Sequence, residues 1–159
     1  MTDQTTVVTF GIGKAFFALP VDPVVEILEA RETAPLPRAP RHLLGLIDRR
    51  GASVPVVDMR ALLGQPERAD GLDTRIIVIA FVAEGQPERL VGLRVDQVLD
   101  VGTIQQDVEM PGADAGILRW RERMVAGVGK RGDDFVTILD VEGLLGSELG
   151  ELELPGLVA

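Results

Sequence analysis

The sequence predicts a mainly-β protein with short helices: two small five-stranded barrels made by internal duplication. Three observations carry this. The chain repeats itself. Residues 18–27 (ALPVDPVVEI) align with 92–101 (GLRVDQVLDV), with Leu19/Leu93, Val21/Val95, Asp22/Asp96 and Val24/Val98 identical and Glu26/Asp100 keeping its charge. Residues 45–64 align without a gap on 127–146, with Gly45/Gly127, Arg49/Arg131, Val54/Val136, Asp58/Asp140, Leu62/Leu144, Leu63/Leu145 and Gly64/Gly146 identical. The apolar residues, 46% of the chain, are mostly Val, Ile, Leu and Ala, interrupted by 18 Gly and 10 Pro, a mix that suits short strands between tight turns. Each half also supplies about five β-rich runs and one short terminal helix, and five antiparallel strands of such length close into a barrel with few exposed edges.

The elements follow in order. Residues 5–12 and 14–20 are β-rich runs split around Gly11 and Gly13 and read as a hairpin. Asp22-Pro23 suits a one-turn helix start, since Pro fits a first helical position, and the chain then runs as a strand through Val25 and Ile27. Pro35, Pro37 and Pro40 cannot donate to a sheet ladder, so residues 31–42 form an extended surface loop. Residues 42–47 read as a short helical turn, Arg49-Arg50-Gly51 as a hairpin tip, 53–58 as a strand, and 59–63 as a short helix stopped by Gly64. Residues 65–73 are a polar linker between the copies. In the second copy, 76–82 is a continuous apolar run, the pattern of a strand covered on both faces. Residues 84–88 turn it back onto 90–95. An irregular insertion covers 102–121. Residues 124–129 and 134–140 form a hairpin around Arg131-Gly132-Asp133, and 141–145 repeats the short helix. One domain is expected over 1–146, with a first lobe near 14–68, a second near 74–146, an N-terminal strand free to cross over, and an acidic tail over 147–159.

Charge and composition exclude several functions. The net charge of −9 opposes nonspecific nucleic-acid binding, which needs a basic surface to release counterions, and disfavours adsorption to anionic lipid. The charge is uneven: residues 31–60 hold Arg31, Arg38, Arg41, Arg49, Arg50 and Arg60 against Glu32, Asp48 and Asp58. That basic segment on an acidic chain marks a candidate partner site. The chain has no Cys, so it builds no disulfide framework or thiolate metal site. Neither a signal peptide nor a run of about 20 apolar residues suited to a spanning helix is found. The expectation is a cytoplasmic protein without direct membrane insertion.

The catalytic inventory is thin. His42 is the only histidine, and Ser53 and Ser147, the only serines, sit in no Gly-x-Ser-x-Gly elbow. Nucleophilic catalysis needs a nucleophile, a base and an orienting group, and this set does not supply them. Gly11-Ile12-Gly13-Lys14 lacks the spacing of a phosphate loop, and no acid spacing matches a calcium or zinc site. Asp22 and Asp96, which recur in the repeat, suit helix capping. Trp120, flanked by Arg119 and Arg121, suits either a partner anchor or a plug at a barrel end. The chain reads as a non-enzymatic binding module without cofactor or metal.

Several blocks now resemble one family. Phe17-Ala18-Leu19-Pro20-Val21, Val24-Val25-Glu26-Ile27-Leu28, Leu36-Pro37-Arg38-Ala39-Pro40, Gly45-Leu46-Ile47, Arg50-Gly51 and Val54-Pro55-Val56-Val57-Asp58-Met59 are similar, in order and spacing, to the CheW-like domain of bacterial chemotaxis. Val91-Gly92-Leu93-Arg94-Val95-Asp96-Gln97-Val98 and Ile138-Leu139-Asp140-Val141-Glu142-Gly143-Leu144-Leu145 extend the resemblance, which covers roughly residues 5–146. It implies two five-stranded SH3-like barrels. It also implies a non-enzymatic adaptor coupling chemoreceptors to a CheA-type histidine kinase in membrane-associated arrays. The implied partners are the kinase's regulatory domain, the receptor's cytoplasmic tip, and other CheW-like domains in array rings.

The resemblance maps partner-binding roles onto Arg50, from the family's Asn-Leu-Arg-Gly turn, and onto Glu26 and Val24, from its Val-x-Glu-Ile strand. Leu46, Ile47 and Val98 are candidates for an apolar groove between the barrels. Here Asp48-Arg49-Arg50-Gly51 replaces Asn-Leu-Arg-Gly, which makes Arg49 a further candidate and points to an altered partner. An Arg at the hairpin tip and Glu26 on a neighbouring strand are placed to form a charged pair that fixes the turn or meets a partner. Two other readings stay open: a small-molecule-binding regulator using the groove, and an assembly subunit that fills array rings without recruiting kinase.

Overall fold

A computed structural model describes residues 4–82, 85, 87–105 and 125–149. The first copy of the repeat contributes β1 (Gln4–Ile12), β2 (Ala15–Pro20), β3 (Val24–Glu29), β4 (Leu43–Arg49), β5 (Ala52–Asp58) and α1 (Met59–Leu62). The second contributes β6 (Arg75–Phe81), β7 (Arg89–Val95), β8 (Gln97–Gln105), β9 (Val125–Arg131), β10 (Asp134–Leu139) and α2 (Val141–Leu149). The strands form a closed barrel of order β1-β2-β10-β9-β8 and a five-stranded sheet of order β3-β6-β7-β5-β4.

These two orders are the same arrangement built from opposite copies. β1 and β2 correspond in the repeat to β6 and β7, while β3, β4 and β5 correspond to β8, β9 and β10. Each sheet thus takes its first hairpin from one copy and its other three strands from the other. The junction is a parallel pair in both: β10 beside β2, with Val136 opposite Phe16, and β5 beside β7, with Val56 opposite Gly92. Contiguous lobes at 14–68 and 74–146 are therefore not what the chain makes. The compact units divide after Asp22 and after Val98: one runs from Pro23 to Val98, and the other joins the described residues before and after it. Asp22 and Asp96, equivalent in the repeat, lie at or beside these crossings. They do not cap helices as expected. Asp58 and Asp140 do so, accepting bonds from the backbone N–H of Arg60 and of Glu142, each at 3.1 Å.

Alternation decides which strand faces are buried. In the unit from Pro23 to Val98, Ile47, Val54, Val56, Ile76 and Val78 form a core with Leu28, Leu44 and Leu90 against it. In the other unit, Val7, Ala18, Ile104, Val136 and Ile138 form a second core with Phe16. The opposite faces of the central strands are buried too: Val8, Phe10, Leu19, Ile77, Ile79 and Leu93 are all fully inaccessible. This explains the unbroken apolar run of β6. Burying one such side chain contributes about 1.5–3 kcal/mol, so these strands dominate the stability.

Three further expectations change. Residues 42–47 are not a helical turn: Leu43, Gly45 and Ile47 are buried in strict alternation, so the segment is the strand β4. Asp22-Pro23 forms a turn rather than a helix start. The insertion begins later than expected, since β8 continues as a strand to Gln105. Trp120, the remainder of the insertion and residues 150–159 of the tail lie outside the described residues.

Candidate partner-binding site

The site is built at one end of the sheet β3-β6-β7-β5-β4. Its β4–β5 hairpin closes with Arg49 opposite Ala52, leaving Arg50 and Gly51 as a two-residue loop. Both loop residues have left-handed φ, +52° and +86°, as a type I′ turn requires. Gly51 adopts this at little cost. For an arginine it costs about 1–2 kcal/mol. Arg50 is exposed, and among the described residues no hydrogen bond or ion pair engages it.

β3 and β4 are the two edges of this sheet, and side chains and loop backbone join them. Arg49 Nε donates to Glu26 Oε2 at 2.6 Å. Further along the seam, Ala34 and Leu46 exchange backbone bonds of 2.8 and 2.9 Å, and Thr33 Oγ1 donates to the Leu44 carbonyl at 3.2 Å. Gly45 permits this approach: a Cβ there would overlap the Ala34 carbonyl, and its φ is +143°. A β-bulge at Val25 sets the aim of Glu26. Val24 lies opposite Ile79 and Glu26 opposite Val78, so Val25 is the extra residue, and Glu26 falls on the same face as Leu28.

The structure thus corrects the expected pairing. Glu26 is held by Arg49, not Arg50. Arg49 follows Ile47 by two and shares its inward face, whereas Arg50 has already left the strand. The other candidates differ in role. Ile47 is 4% exposed and belongs to the core, so its side chain is not offered to a groove. Val24 and Leu46 are half-buried, Leu46 using its backbone in the seam. Val98 is half-buried near the start of β8. Not anticipated were Val25 and Ile27, 45% and 37% exposed, which give β3 an apolar outer row beside Glu26.

The second copy reproduces the clasp. Arg131, the repeat partner of Arg49, donates from Nε and Nη2 to Asp100 Oδ2 at 2.9 and 2.8 Å, and Asp100 is the repeat partner of Glu26. In that hairpin Gly132 occupies the position of Arg50, with φ +63°. The charge-conserving repeat pair Glu26/Asp100 and the identical Arg49/Arg131 were the sequence signal for both clasps.

A second polar assembly escaped the sequence reading. Arg94 Nε donates to Asp70 at 2.6 Å, its Nη1 to Asp58 at 3.4 Å and its Nη2 to the Arg68 carbonyl at 2.6 Å. Arg60 Nε donates to the Pro66 carbonyl at 2.7 Å and its Nη1 to Asp96 at 2.5 Å. Arg60 and Arg94 are each only 8% exposed. They bind the polar linker across the sheet end, beside a recess of about 670 Å³ floored by Leu44, Val56 and Ile76. An arginine between Leu93 and Val95 was the only trace of this in the sequence. Among the described residues no cluster of His, Asp or Glu could hold a metal, and no helix is long and apolar enough to cross a membrane.

Comparisons with known proteins place the chain in a family. Residues 6–149 match the family model of the CheW-like domain. The chain is 29% identical over 139 residues to a probable chemotaxis protein CheW of Rhizobium etli, covering 86% of this chain and 84% of that protein. It is 26% identical over 148 residues to the chemotaxis protein CheW of Bacillus subtilis, covering 93% and 91%. The crystal structure of the scaffolding protein TtCheW from Thermoanaerobacter tengcongensis superposes with a TM-score of 0.69 at 24% identity, covering 90% of this chain and 93% of that one. That likeness is one of fold. With nearly the whole of its length matched, residues 6–149, this chain belongs to the CheW-like domain family.

Proposed function

We propose that the chain is a non-enzymatic chemotaxis adaptor that couples chemoreceptors to a CheA-type histidine kinase, working at receptor arrays on the cytoplasmic side of the membrane. The observation that carries the site is Arg50. It is held exposed in a left-handed turn where the duplicate hairpin has Gly132, so its side chain is dispensable to the turn itself. Conformational strain kept at a surface position is a mark of function. Arg50 is the charged contact in this reading, and Arg49 and Glu26 hold the hairpin that presents it. Val25 and Ile27, with the half-buried Val24, supply apolar area, while Leu46 and Val98 are further contact candidates. Family membership and the relatives' names as chemotaxis and scaffolding proteins support the adaptor role.

The test is a pull-down of the purified protein against the CheA-type kinase and the chemoreceptor cytoplasmic fragment of its own organism. Retention of both together supports a coupling adaptor. Retention of kinase or receptor alone would reduce the role to half of that coupling. Binding to neither, with the protein well folded, would sink the proposal and turn attention to a ligand or to array filling. Arg50→Glu is expected to keep cooperative unfolding and to weaken receptor or kinase retention. A loss of cooperative unfolding would make Arg50 structural.

A further inference from the structure

The buried cation Arg94 has no counterpart in the duplicate copy. Val56 stands opposite Gly92 and Asp58 opposite Arg94. The repeat partners of the first pair, Ile138 and Ala18, also stand opposite each other. Those of the second pair are Asp140 and Pro20. Pro20 brings no charge, and Asp140 is exposed where it caps α2. The repeat therefore builds this end of a sheet without a buried arginine. Burying a cation is costly unless it is paired, so Arg94 asks for a reason beyond the architecture.

Arg94 walls the recess of about 670 Å³ that is floored by Leu44, Val56 and Ile76. The core is filled beneath that floor: a Cβ on Gly92 would lie 2.8 Å from the Ile76 side chain and 3.4 Å from that of Val56. The bonds of Arg94 differ in kind. The one to Asp58, on the neighbouring strand, is long at 3.4 Å, while the two short ones, each 2.6 Å, go to the linker, to the Asp70 carboxylate and the Arg68 carbonyl. Side chains thus hold residues 66–70 to the sheet, with Arg60 taking the Pro66 carbonyl. The Asp70 side chain is itself 47% exposed. A buried guanidinium beside an apolar floor has, as its closest anion, a half-exposed carboxylate on a solvent-facing strap. Around the rim Arg31 and Arg68 balance Glu32 and Glu67, so the choice of ligand charge falls to Arg94. An apolar lining with few polar groups, in a volume of roughly 300–1,000 Å³, is the character of a small-molecule site.

We infer that this recess is a binding site for a small organic acid: its carboxylate takes the place of Asp70 on Arg94, and its apolar body lies on Leu44, Val56 and Ile76. The exchange keeps Arg94 paired and adds apolar burial that Asp70 does not supply. Tethered by the linker, Asp70 competes at high effective concentration and keeps the affinity modest. Binding releases the linker from Arg94, so ligand and linker respond together. The site stands apart from the adaptor reading and needs neither receptor nor kinase to be observed.

The test follows the backbone amides of the full chain by NMR during titration with hexanoate, hexylamine and hexanol, three probes of one chain length and different head groups. Hexanoate is expected to shift the amides of Leu44, Val56 and Ile76 together with those of residues 67–70, and to bind about tenfold tighter than hexanol. Asp70→Ala removes the internal rival and is expected to tighten hexanoate about tenfold while leaving hexanol within about twofold. Should that variant fail to fold, Asp70→Asn keeps the shape with a weaker acceptor and is expected to tighten hexanoate about threefold. Unchanged hexanoate affinity in the folded variant would overturn the inference. Equal affinity for the three probes would make the recess a nonspecific apolar surface, and a preference for hexylamine would assign it to Glu32 and Glu67; either result overturns the inference. Shifts at the floor without shifts at residues 67–70 would overturn the displacement of Asp70, and with it the site as stated.

Discussion

Neighbouring residues at the β4–β5 hairpin do different work because strand periodicity separates them. Ile47 points into the core, Arg49 reaches the rim of the same face, and Arg50 leaves the ladder altogether. Their substitutions should separate in the same way. Ile47→Ala removes a buried side chain and should cost about 2–5 kcal/mol by denaturant unfolding, with receptor binding per folded molecule unchanged. Arg50→Gly should cost nothing and gain up to about 1 kcal/mol, since glycine takes left-handed φ without strain. A loss of stability there would mean that Arg50 makes a contact within the fold. Arg94 is the opposite case: a buried cation with each of its three guanidinium nitrogens engaged. Arg94→Ala leaves the carboxylate of Asp58 buried beside an empty space and should cost about 3–5 kcal/mol. A change below about 1 kcal/mol would show that water replaces the guanidinium.

At the level of elements, short segments are held by a few backbone devices. α1 has only Met59–Leu62 and cannot be stable by propensity alone. Its cap, Asp58, also accepts from Arg94, whereas the equivalent cap Asp140 is exposed and serves only α2 among the described residues. Asp140→Ala should therefore cost about 1 kcal/mol, the usual worth of an N-cap. Asp58→Ala should cost clearly more, because it leaves the Arg94 cation without one of its anions. Equal effects in chemical denaturation would show the Asp58–Arg94 pair to be energetically idle. The seam between β3 and β4 depends on one close backbone approach at Gly45, in which no side chain can be accommodated.

Across the whole molecule the decisive property is the exchange of hairpins between copies. Neither half of the sequence holds five strands of one sheet. β1 and β2 need β8, β9 and β10; β6 and β7 need β3, β4 and β5. The linker at residues 64–73 is exposed throughout, with Leu72 97% accessible at its tip. A chain cut beside Leu72 should stay associated as two fragments under native conditions. Separated in denaturant, each fragment alone should fail to recover β-sheet circular dichroism, and mixing should restore it. Independent refolding of either fragment would contradict the exchanged topology.

How much of this could be read from the residues follows from the range of the interactions. Most strand positions, the hairpin tips and the two short terminal helices were legible because turn residues and alternating burial are local; β4, which reads as a helical turn, and β8 were not. The duplication was legible because Leu19/Leu93, Asp58/Asp140 and Arg49/Arg131 recur in register. The repeat even held the clasp in outline, as an acid and an arginine conserved between copies. What it did not reveal was the partner assignment: Arg50 was the natural guess for Glu26, since only the face parity of β4 hands that carboxylate to Arg49. Contiguous lobes were likewise the simplest reading of two tandem copies. The parallel pairs β2/β10 and β5/β7 join residues more than a hundred positions and some tens of positions apart, respectively, and no local pattern encodes them. The sequence by itself determined a duplicated, strand-rich chain of the CheW-like type. Tertiary structure alone decided which strands share a sheet, that Arg94 and Arg60 are buried, and that Arg50 is left exposed and unpaired among the described residues. It did so because pairing across a sheet and burial of charge depend on neighbours brought together only when the chain is folded.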